Sequence, residues 1–199
     1  PRLPVLAGMR VGVMGGSFNP AHEGHLHASL VALRRLGLDR VVWLVSPQNP
    51  LKSARGMAPF ADRFASAVAM ARHPRILVSD YETHIGTRYT ADTLASLTAR
   101  HPGVRFVWIM GGDNLIGFHR WDRWMRIART MPVAVVARPG YLHRALGAKF
   151  AIRLAERSVP EHAARTLPER AAPAWCLLHG RLHPASSTEI RAARARGLA

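Results

Sequence analysis

The sequence contains one cysteine, few lysines and few acidic residues, and it has no long apolar segment. Cys176 is the single cysteine among 199 residues, which excludes an internal disulfide framework and fits a reducing compartment. Because Cys176 lies in an apolar run without a neighbouring cysteine, we expect a buried and unreactive thiol. No run reaches the roughly 18 apolar residues that a membrane-spanning helix needs, and the first residues have no signal-type apolar core. The sequence therefore predicts a cytoplasmic protein without a membrane partner.

Basic residues are abundant, but almost all of them are arginine. Lys52 and Lys149 are the only lysines among 28 basic residues, which outnumber 12 acidic residues and give a net charge of +16. This charge attracts polyanions, including nucleic acids. The arginines are spread along the chain, however, and no basic segment is interleaved with aromatic residues that could stack on bases. We therefore expect no nucleic acid as the main partner, and the same charge suits a nucleotide polyphosphate.

Apolar runs with strand character alternate with helical patterns along the chain. This alternation predicts right-handed crossovers and a parallel sheet, and 199 residues with 48% hydrophobic content suit one domain, residues 1–199. The predicted fold class is α/β, a Rossmann-like doubly wound parallel sheet of five to six strands with helices on both faces. The predicted strands comprise residues 11–14, 40–46, 76–79, 104–110, 133–137 and 175–178.

The predicted helices follow from apolar periodicity and from their first residues. Thr90 is a predicted N-cap, and Trp121 and Trp124, three residues apart on one helix, have the spacing typical of core residues. The internal helices comprise residues 60–72, 91–99, 121–130 and 143–157. The segments 47–59, 81–86 and 158–173 contain turn residues and are predicted to be loops.

The segment from Gly15 to His25, GGSFNPAHEGH, is the centre of the functional interpretation. It is predicted to be a loop between the first strand and a helix that Gly24 opens. Paired glycines let backbone N–H groups approach a ligand, and a helix start adds unpaired donors and a positive dipole end. This combination favours a phosphate group. His22 and His25 are three residues apart, so both imidazoles can converge on that group.

Two other interpretations of this segment fail. It contains neither the Gly-x-Gly-x-x-Gly nor the Gly-Lys-Ser/Thr pattern of the common phosphate-binding loops. The spacing of His22 and His25 differs from the four-residue spacing of zinc proteases, and two histidines alone leave a metal under-coordinated. The sequence therefore indicates donors to a phosphate rather than ligands to a metal.

Two later segments are predicted to face the same ligand. Ser186, Ser187 and Thr188 precede or open a last helix and can supply N–H and O–H donors to a second anion, and Arg191 lies one helical turn further on. The strand 104–110 ends at Gly111-Gly112-Asp113-Asn114. In open α/β sheets, ligands lie outside the carboxyl ends of the strands, so this end and the Gly15 loop should share one cleft.

These motifs together resemble a known family. Gly-Gly-Ser-Phe-Asn-Pro-x-His-x-Gly-His followed by Ser-Ser-Thr-x-Ile-Arg resembles the nucleotidyltransferases that carry the His-x-Gly-His signature. Within them, the middle of the chain is similar to bacterial nicotinate-nucleotide adenylyltransferase. The motifs that carry this likeness are Arg88-Tyr89-Thr90-Ala91-Asp92-Thr93-Leu94, Met110-Gly111-Gly112-Asp113-Asn114-Leu115, Phe118-x-x-Trp121 and Arg138-Pro139-Gly140.

The resemblance implies that the protein transfers the adenylyl group of ATP to nicotinate mononucleotide, in one direct step, in the biosynthesis of NAD. It implies catalytic roles for His22 and His25 at the α-phosphate and for Arg191 at the leaving pyrophosphate. The other implied ATP-binding residues are Gly15, Gly16, Ser17, Phe18, Asp113, Ser187 and Thr188. Magnesium is expected to be carried by the ATP phosphates, and no protein-held metal is predicted.

On the acceptor side, the resemblance implies that Trp121 stacks on the pyridine ring and that Thr90 receives the nicotinate carboxylate. Tyr89, Arg138 and Lys52 are the other implied substrate-binding residues, with Lys52 in a segment where many relatives read Pro-Pro-His-Lys or Pro-Pro-His-Arg. An adenylyltransferase for nicotinamide mononucleotide or phosphopantetheine is the alternative enzyme, and a basic nucleic-acid-binding module is the alternative from another class. A monomer and a homo-oligomer both remain open.

Overall fold

The structure is a computed structural model, and it describes residues 2–47, 56–137, 140–180 and 187–196. Three residues that carry predictions, Lys52, Arg138 and Ser186, lie outside the described residues.

Six strands in the described residues form one parallel sheet. They are β1 (Arg10–Gly16), β2 (Arg40–Val45), β3 (Ile76–Ser79), β4 (Arg105–Gly111), β5 (Val133–Val136) and β6 (Trp175–Leu178). Their order is β3-β2-β1-β4-β5-β6, with Val13 of β1 paired to Val42 on one side and Trp108 on the other. This order confirms the predicted doubly wound sheet. The strand order runs outward in opposite directions from β1 and from β4, and such sheets bind ligands at this switch point.

The strands form because their apolar residues are buried on both faces of the sheet. In β2, for example, every residue after Arg40 is buried. Val42 and Leu44 join one core, whereas Trp43 and Val45 join the other. Successive side chains of a strand point to opposite faces, so a continuous apolar run is the pattern of a strand covered on both sides.

Helices cover both faces of the sheet, as predicted. Leu33 of α1 packs in the core that contains Trp43, and Leu94 of α4 packs in the other core. The helices in the described residues are α1 (Glu23–Arg35), α2 (Phe60–Met70), α3 (Tyr81–Ile85), α4 (Thr90–Arg100), α5 (Gly112–Gly117), α6 (Trp124–Thr130), α7 (Leu142–Leu146), α8 (Lys149–Arg153) and α9 (Ser187–Ala195). Short 3-10 helices span Phe118–Arg120, Ala155–Arg157 and Glu161–Glu169. None of these helices is long and apolar enough to cross a membrane.

The glycine pair belongs to β1 and not to a loop, which corrects the prediction for this segment. Gly15 and Gly16 pair with Leu44 and Val45 of β2. Gly15 is needed because a Cβ at this position would lie 2.5 Å from the indole of Trp108. Helix α1 begins at Glu23 rather than at Gly24, and the connecting loop is therefore only residues 17–22.

The predicted loop at residues 81–86 is wrong, because it contains α3. Gly86 ends this helix in the left-handed conformation at φ 66°, which glycine adopts without steric cost. Gly112 and Asp113 likewise lie in a helix, since α5 follows β4 directly.

Two predicted helix starts are also wrong. Thr90 is the first residue of α4, and Tyr89 holds the N-cap position without a side-chain hydrogen bond. Trp121 precedes α6, which begins at Trp124. The side chain of Thr90 therefore does not cap the helix, and Trp121 belongs to a turn.

The C-terminal third of the chain is more broken than predicted. The helix expected at residues 143–157 consists of α7, α8 and a 3-10 turn, with Gly147 between α7 and α8, where glycine weakens a helix. The loop expected at residues 158–173 contains the 3-10 helix Glu161–Glu169. The other predicted strands and helices match the structure within two residues, and most of the predicted loop 47–59 lies outside the described residues. Cys176 is buried as expected, and burial together with the charge of Glu161 raises its pKa to about 11.

Ser29 of α1 connects the helix to Trp43 of the sheet. The indole Nε1 of Trp43 donates to the Ser29 hydroxyl at 2.8 Å, and this hydroxyl donates to the His25 carbonyl at 2.9 Å. Trp43 and Ser29 are both fully buried. The Ser29 hydroxyl is therefore the partner that satisfies a buried indole N–H beneath the first turns of α1.

We expect Ser29→Ala to lower the free energy of unfolding by about 1–3 kcal/mol, because the Trp43 N–H would lose its partner in the core. Urea unfolding measures this change. In a Trp43→Phe background the same substitution should cost much less, since no indole N–H is left unsatisfied. Equal losses in the two backgrounds would show that the hydrogen bond does not stabilise the fold.

Candidate active site

A cleft lies outside the carboxyl ends of β1 and β4, where the strand order changes direction. We call it the first cleft. Its walls come from the end of β1, the loop 17–22, the start of α1, the β4–α5 junction and the start of α9. Among the residues that line it are Gly15, Gly16, Ser17, Phe18, His22, His25, His27, Asp113, Trp121 and Ser187.

His22 and His25 cap the start of α1 and line the first cleft. The Gly24 N–H donates to Nδ1 of His22 at 3.1 Å, and the His22 N–H donates to Nδ1 of His25 at 3.2 Å. An Nδ1 that accepts a hydrogen bond carries no proton, so the proton of each ring is on Nε2. Each ring therefore has an Nε2–H donor on the edge opposite the helix backbone.

The capping bonds require an Nδ1 without a proton. A ring with a proton on Nδ1 would lose its hydrogen bond to the helix backbone. The two ring centres are only 3.9 Å apart, and two positive charges at that distance would repel each other. The capping geometry therefore makes Nε2 the donor of each ring.

Phe18 packs against His25 of the histidine pair. Its backbone is in the left-handed region at φ 47°, which is unfavourable for a residue with a bulky side chain. In return, the buried Phe18 ring stacks on Trp43 at 5.1 Å and contacts His25 at 4.8 Å between ring centres. Strained backbone of this kind occurs where surrounding packing enforces it, commonly at active sites.

Arg63 of α2 is buried behind the loop 17–22. Its guanidinium donates to four backbone carbonyls, those of Ser17 and Ser46 at 2.7 Å, Pro47 at 2.8 Å and Ala58 at 3.0 Å. Burial lowers the pKa of Arg63. The four carbonyls compensate the buried charge, and they tie the segments after β1 and β2 together.

The contact between Arg63 and Ser17 also directs a backbone donor. In a trans peptide the carbonyl and the next N–H point in opposite directions. Because the Ser17 carbonyl points to Arg63, the Phe18 N–H points away from Arg63. A local pattern does point to Arg63, because this charged residue stands on the apolar face of α2 between Phe60 and Ala67.

Helix α9 begins against the same loop. The Ser187 hydroxyl donates to the Pro20 carbonyl at 3.0 Å, and Nη1 of Arg191 donates to the Asn19 carbonyl at 2.7 Å. Ser187 lines the first cleft together with the two histidines. The starts of α1 and α9 thus meet at one cleft, as the sequence predicted.

The other residues of α9 lie further from that cleft. Arg191 lines a shallow groove on the far side of Asn19 and Pro20, next to Gly56 and Asp62. Thr188 is exposed, and its hydroxyl is 3.4 Å from Nη2 of Arg191. Of the three α9 residues predicted to bind phosphate, Ser187 is therefore the one that lines the first cleft.

A second cleft adjoins the first and shares Gly15, Gly16, Trp108 and Trp121 with it. Its outer walls are the start of α4 and the turn before α6. The other residues that line it are Ser46, Glu82, Arg88, Tyr89, Thr90, Arg120, Asp122 and Ile127. The predicted acceptor residues Tyr89, Thr90 and Trp121 are therefore together, and they are separated from the histidines only by the shared wall.

The aromatic residues of this wall have different roles. Trp121 is partly buried and packs edge to face on Phe118 at 5.2 Å and Trp108 at 6.3 Å, and it lines both clefts. Trp124 contacts Phe118 at 6.2 Å and Phe150 at 6.4 Å. Both tryptophans are partly buried against the core, but Trp121 also lines the two clefts and Trp124 lines neither. Trp108, which no sequence motif indicated, lines both clefts as well.

Glu82 is a buried carboxyl group in the second cleft. Thr93 donates to its Oε1 at 3.0 Å, whereas Oε2 is buried and has no hydrogen-bond partner in the described part of the chain. Burial raises the pKa of Glu82, and the hydroxyls of Thr93 and Ser46 oppose this shift only in part. No local pattern in the sequence points to Glu82, because the turn residues around it predict a loop.

Comparison with known proteins identifies the family. The cytidylyltransferase-like family model matches residues 13–193. A protein of Parvibaculum lavamentivorans named "probable nicotinate-nucleotide adenylyltransferase" is 55% identical over 92% of both chains. A protein of the same name from Caulobacter sp. strain K31 is 52% identical over 95% of this chain and its own full length. The chain belongs to the nicotinate-nucleotide adenylyltransferase family.

A solved structure of this family supports the fold. The nicotinic acid mononucleotide adenylyltransferase of Plasmodium falciparum, solved in complex with NaAD, superposes with a TM-score of 0.68. The superposition covers 91% of this chain and 82% of the other at 16% sequence identity. At this identity the likeness shows the fold alone, and the Rossmann-like fold of the family is confirmed.

Metal-binding side chains are not clustered in the residues that the structure describes. No three histidine, cysteine, aspartate or glutamate side chains come together there as a metal site would require. Asp113, in the first turn of α5, lines the first cleft.

Glu82 should give the stability of this family member a specific pH dependence. The pKa of Glu82 in the folded protein is above the reference value of 4.5. Its contribution to the free energy of unfolding is therefore full below about pH 4.5 and is lost as the pH rises through the folded pKa. Relative to Glu82→Gln, which cannot ionise, the wild type should lose stability above about pH 4.5. Urea unfolding across pH measures the difference.

The variant Thr93→Val is the matched control for this prediction. It removes a hydroxyl that stabilises the Glu82 anion, so it should deepen the decline in stability. Parallel pH profiles for the wild type and Glu82→Gln would contradict a raised pKa.

Proposed function

We propose that this protein transfers the adenylyl group of ATP to nicotinate mononucleotide and so forms nicotinate adenine dinucleotide and pyrophosphate. The observation that carries the proposal is the meeting of two helix starts, α1 and α9, at one cleft that adjoins a second cleft and shares aromatic lining residues with it. A triphosphate suits the first cleft, because helix starts supply N–H donors and positive dipole ends. The names of relatives with 52–55% identity agree with this reaction.

The chemistry requires placement and charge stabilisation rather than a protein nucleophile. The acceptor phosphate attacks the α-phosphorus of ATP, the bond to the bridging oxygen breaks, and pyrophosphate leaves with its electrons. In our proposal, the Nε2–H groups of His22 and His25 donate to the α-phosphate oxygens, where negative charge develops. Fixed donors of this kind lower the barrier because they need no rearrangement during the reaction.

The leaving pyrophosphate is proposed to bind at the start of α9. The first backbone N–H groups of α9 would donate to it, and the side chains of Ser187, Thr188 and Arg191 would join after rotation. For Ser187 and Arg191 this rotation exchanges the hydrogen bonds to the Pro20 and Asn19 carbonyls for hydrogen bonds to phosphate. Arginine is suited to this exchange since its charged fork binds phosphate more strongly than a carbonyl. Magnesium enters this scheme as the counter-ion of ATP and thus as part of the substrate. The carboxylate of Asp113 would accept a hydrogen bond from a ribose hydroxyl of the adenylate.

Nicotinate mononucleotide is proposed to occupy the second cleft. Trp121 would stack on the pyridine ring, and the first N–H groups of α4, together with the Thr90 hydroxyl, would receive the nicotinate carboxylate. The first turn of a helix has N–H groups without intrahelical partners, which suits an anion. Arg88 and Arg120 line the same cleft and favour an acidic acceptor. Tyr89 would add an aromatic edge, and Lys52 and Arg138 remain predicted substrate contacts.

The first experiment measures pyrophosphate release from ATP and magnesium with nicotinate mononucleotide and, in parallel, with nicotinamide mononucleotide. We expect kcat/KM for the acid to exceed that for the amide by at least about 100-fold, because donors arranged for a carboxylate are left poorly paired by an amide. Binding to DNA is the control for a nucleic-acid module and should fade steeply with salt while turnover persists. A folded protein without activity on either mononucleotide would reject the proposal. Equal kcat/KM values would reject the role of Thr90.

A further inference from the structure

One arginine side chain bridges the two outer walls of the second cleft. Nη1 and Nη2 of Arg123 donate to the two carboxylate oxygens of Asp92 at 2.8 and 2.7 Å, and its Nε donates to Asp122 at 2.5 Å. Its Cζ lies 5.8 Å from the centre of the Tyr89 ring. Asp92 and Tyr89 belong to the start of α4, whereas Arg123 precedes α6. One guanidinium group thus joins two elements that are about 30 residues apart in the chain.

The backbone at Arg123 is in a conformation that its residue type disfavours. Arg123 has φ 48° and ψ 40°, and the Trp124 N–H closes a turn onto the Trp121 carbonyl at 3.2 Å. Where the third residue of a turn has a positive φ, as in a type II turn, glycine or asparagine is the usual choice. An arginine there indicates that the side chain contributes something that glycine cannot.

The hydrogen bonds of Arg123 are stronger than those of an ordinary surface ion pair. The side chains of Arg123 and Asp92 are each 39% exposed, and a single pair with that exposure contributes little. This pair is bidentate, however, and Arg123 also contacts a second carboxylate and an aromatic ring, which are the conditions for a well-defined geometry. The hydrogen bond from Arg123 is the main cause of a lowered pKa of Asp92.

The bridge lies beside the residues that line the second cleft. Thr90 lies two residues before Asp92, and Trp121 lies two residues before Arg123. Both Thr90 and Trp121 line this cleft, from different walls. We infer that Arg123 is a positioning residue, whose ion pair with Asp92 fixes the distance between Trp121 and the start of α4 and so sets the width of the acceptor site. The inference rests on the proposed function for the identity of the acceptor.

Loss of the bridge should weaken binding of the acceptor without slowing the chemical step. The turn that carries Trp121 would no longer be held to α4, so the stacking surface and the carboxylate site would not be pre-arranged. The histidines and the start of α9 belong to other elements and keep their contacts. A change confined to binding raises KM for the acceptor and leaves kcat and KM for ATP unchanged.

The test uses Arg123→Gly, because glycine favours the backbone conformation of this turn and removes only the side chain. We expect KM for nicotinate mononucleotide to rise about tenfold, kcat and KM for ATP to stay within about twofold, and the midpoint of thermal unfolding to be unchanged or raised. Asp92→Asn should raise the same KM. The double variant should show no more than the larger single effect, since both substitutions break one interaction.

Arg126→Ala is the matched control. It removes an exposed arginine from the first turn of α6, whose charge also acts on Asp92, and it leaves the bridge intact.

An unchanged acceptor KM in Arg123→Gly would overturn the inference. An equal rise of this KM in Arg126→Ala would also overturn it, because it would indicate a general effect of lost positive charge. A fall in thermal stability with a parallel loss in all kinetic constants would also overturn it. A wild type that is inactive with nicotinate mononucleotide rejects the proposed function, and the inference with it, whereas an active wild type with an unaltered variant rejects the inference alone.

Discussion

The loop 17–22 is held by its carbonyl oxygens, and the arrangement of the active site depends on this constraint. The Ser17 carbonyl accepts from Arg63, the Asn19 carbonyl from Arg191 and the Pro20 carbonyl from Ser187. Donors from α2 and α9 thus fix a short loop that ends at the start of α1. Because the Ser17 and Pro20 carbonyls point to these donors, the N–H groups of Phe18 and Ala21 point the other way. The same contacts keep the starts of α1 and α9 against one cleft.

The two clefts are separated by a wall whose residues have little freedom. Gly15 leaves only enough space for the ring of Trp108, and Trp108 in turn packs edge to face on Trp121. The two described non-glycine residues with left-handed backbone are Phe18, which lines the first cleft, and Arg123, which lies two residues after Trp121 of this wall. Each is held by its side chain, Phe18 by aromatic stacking and Arg123 by ion pairs. Strain is thus concentrated where the site needs fixed positions, which is where folded proteins tolerate it.

Much of this arrangement could be predicted from local sequence patterns. Apolar runs such as Val41 to Val45 define the parallel sheet, and the histidine and serine motifs identify both helix starts. What the sequence could not show depends on contacts between distant residues. Gly15 and Gly16 suggest a loop until their pairing with β2 is known, and the four carbonyls around Arg63 come from three segments. The orphan oxygen of Glu82 and the tautomers of His22 and His25 likewise follow from three-dimensional neighbours that no local pattern encodes.

We propose that the starts of α1 and α9 bind one triphosphate together, and NMR of the isotope-labelled protein can show whether they do. The amide signals of Gly24 and His25 in α1 and of Thr188 in α9 can be followed while a non-hydrolysable ATP analogue is added with magnesium. We expect these signals to move together with one dissociation constant, and the histidine Nε2 signals, but not the Nδ1 signals, to show bound protons. Movement at α1 with no change at α9, or different dissociation constants at the two helix starts, would contradict it.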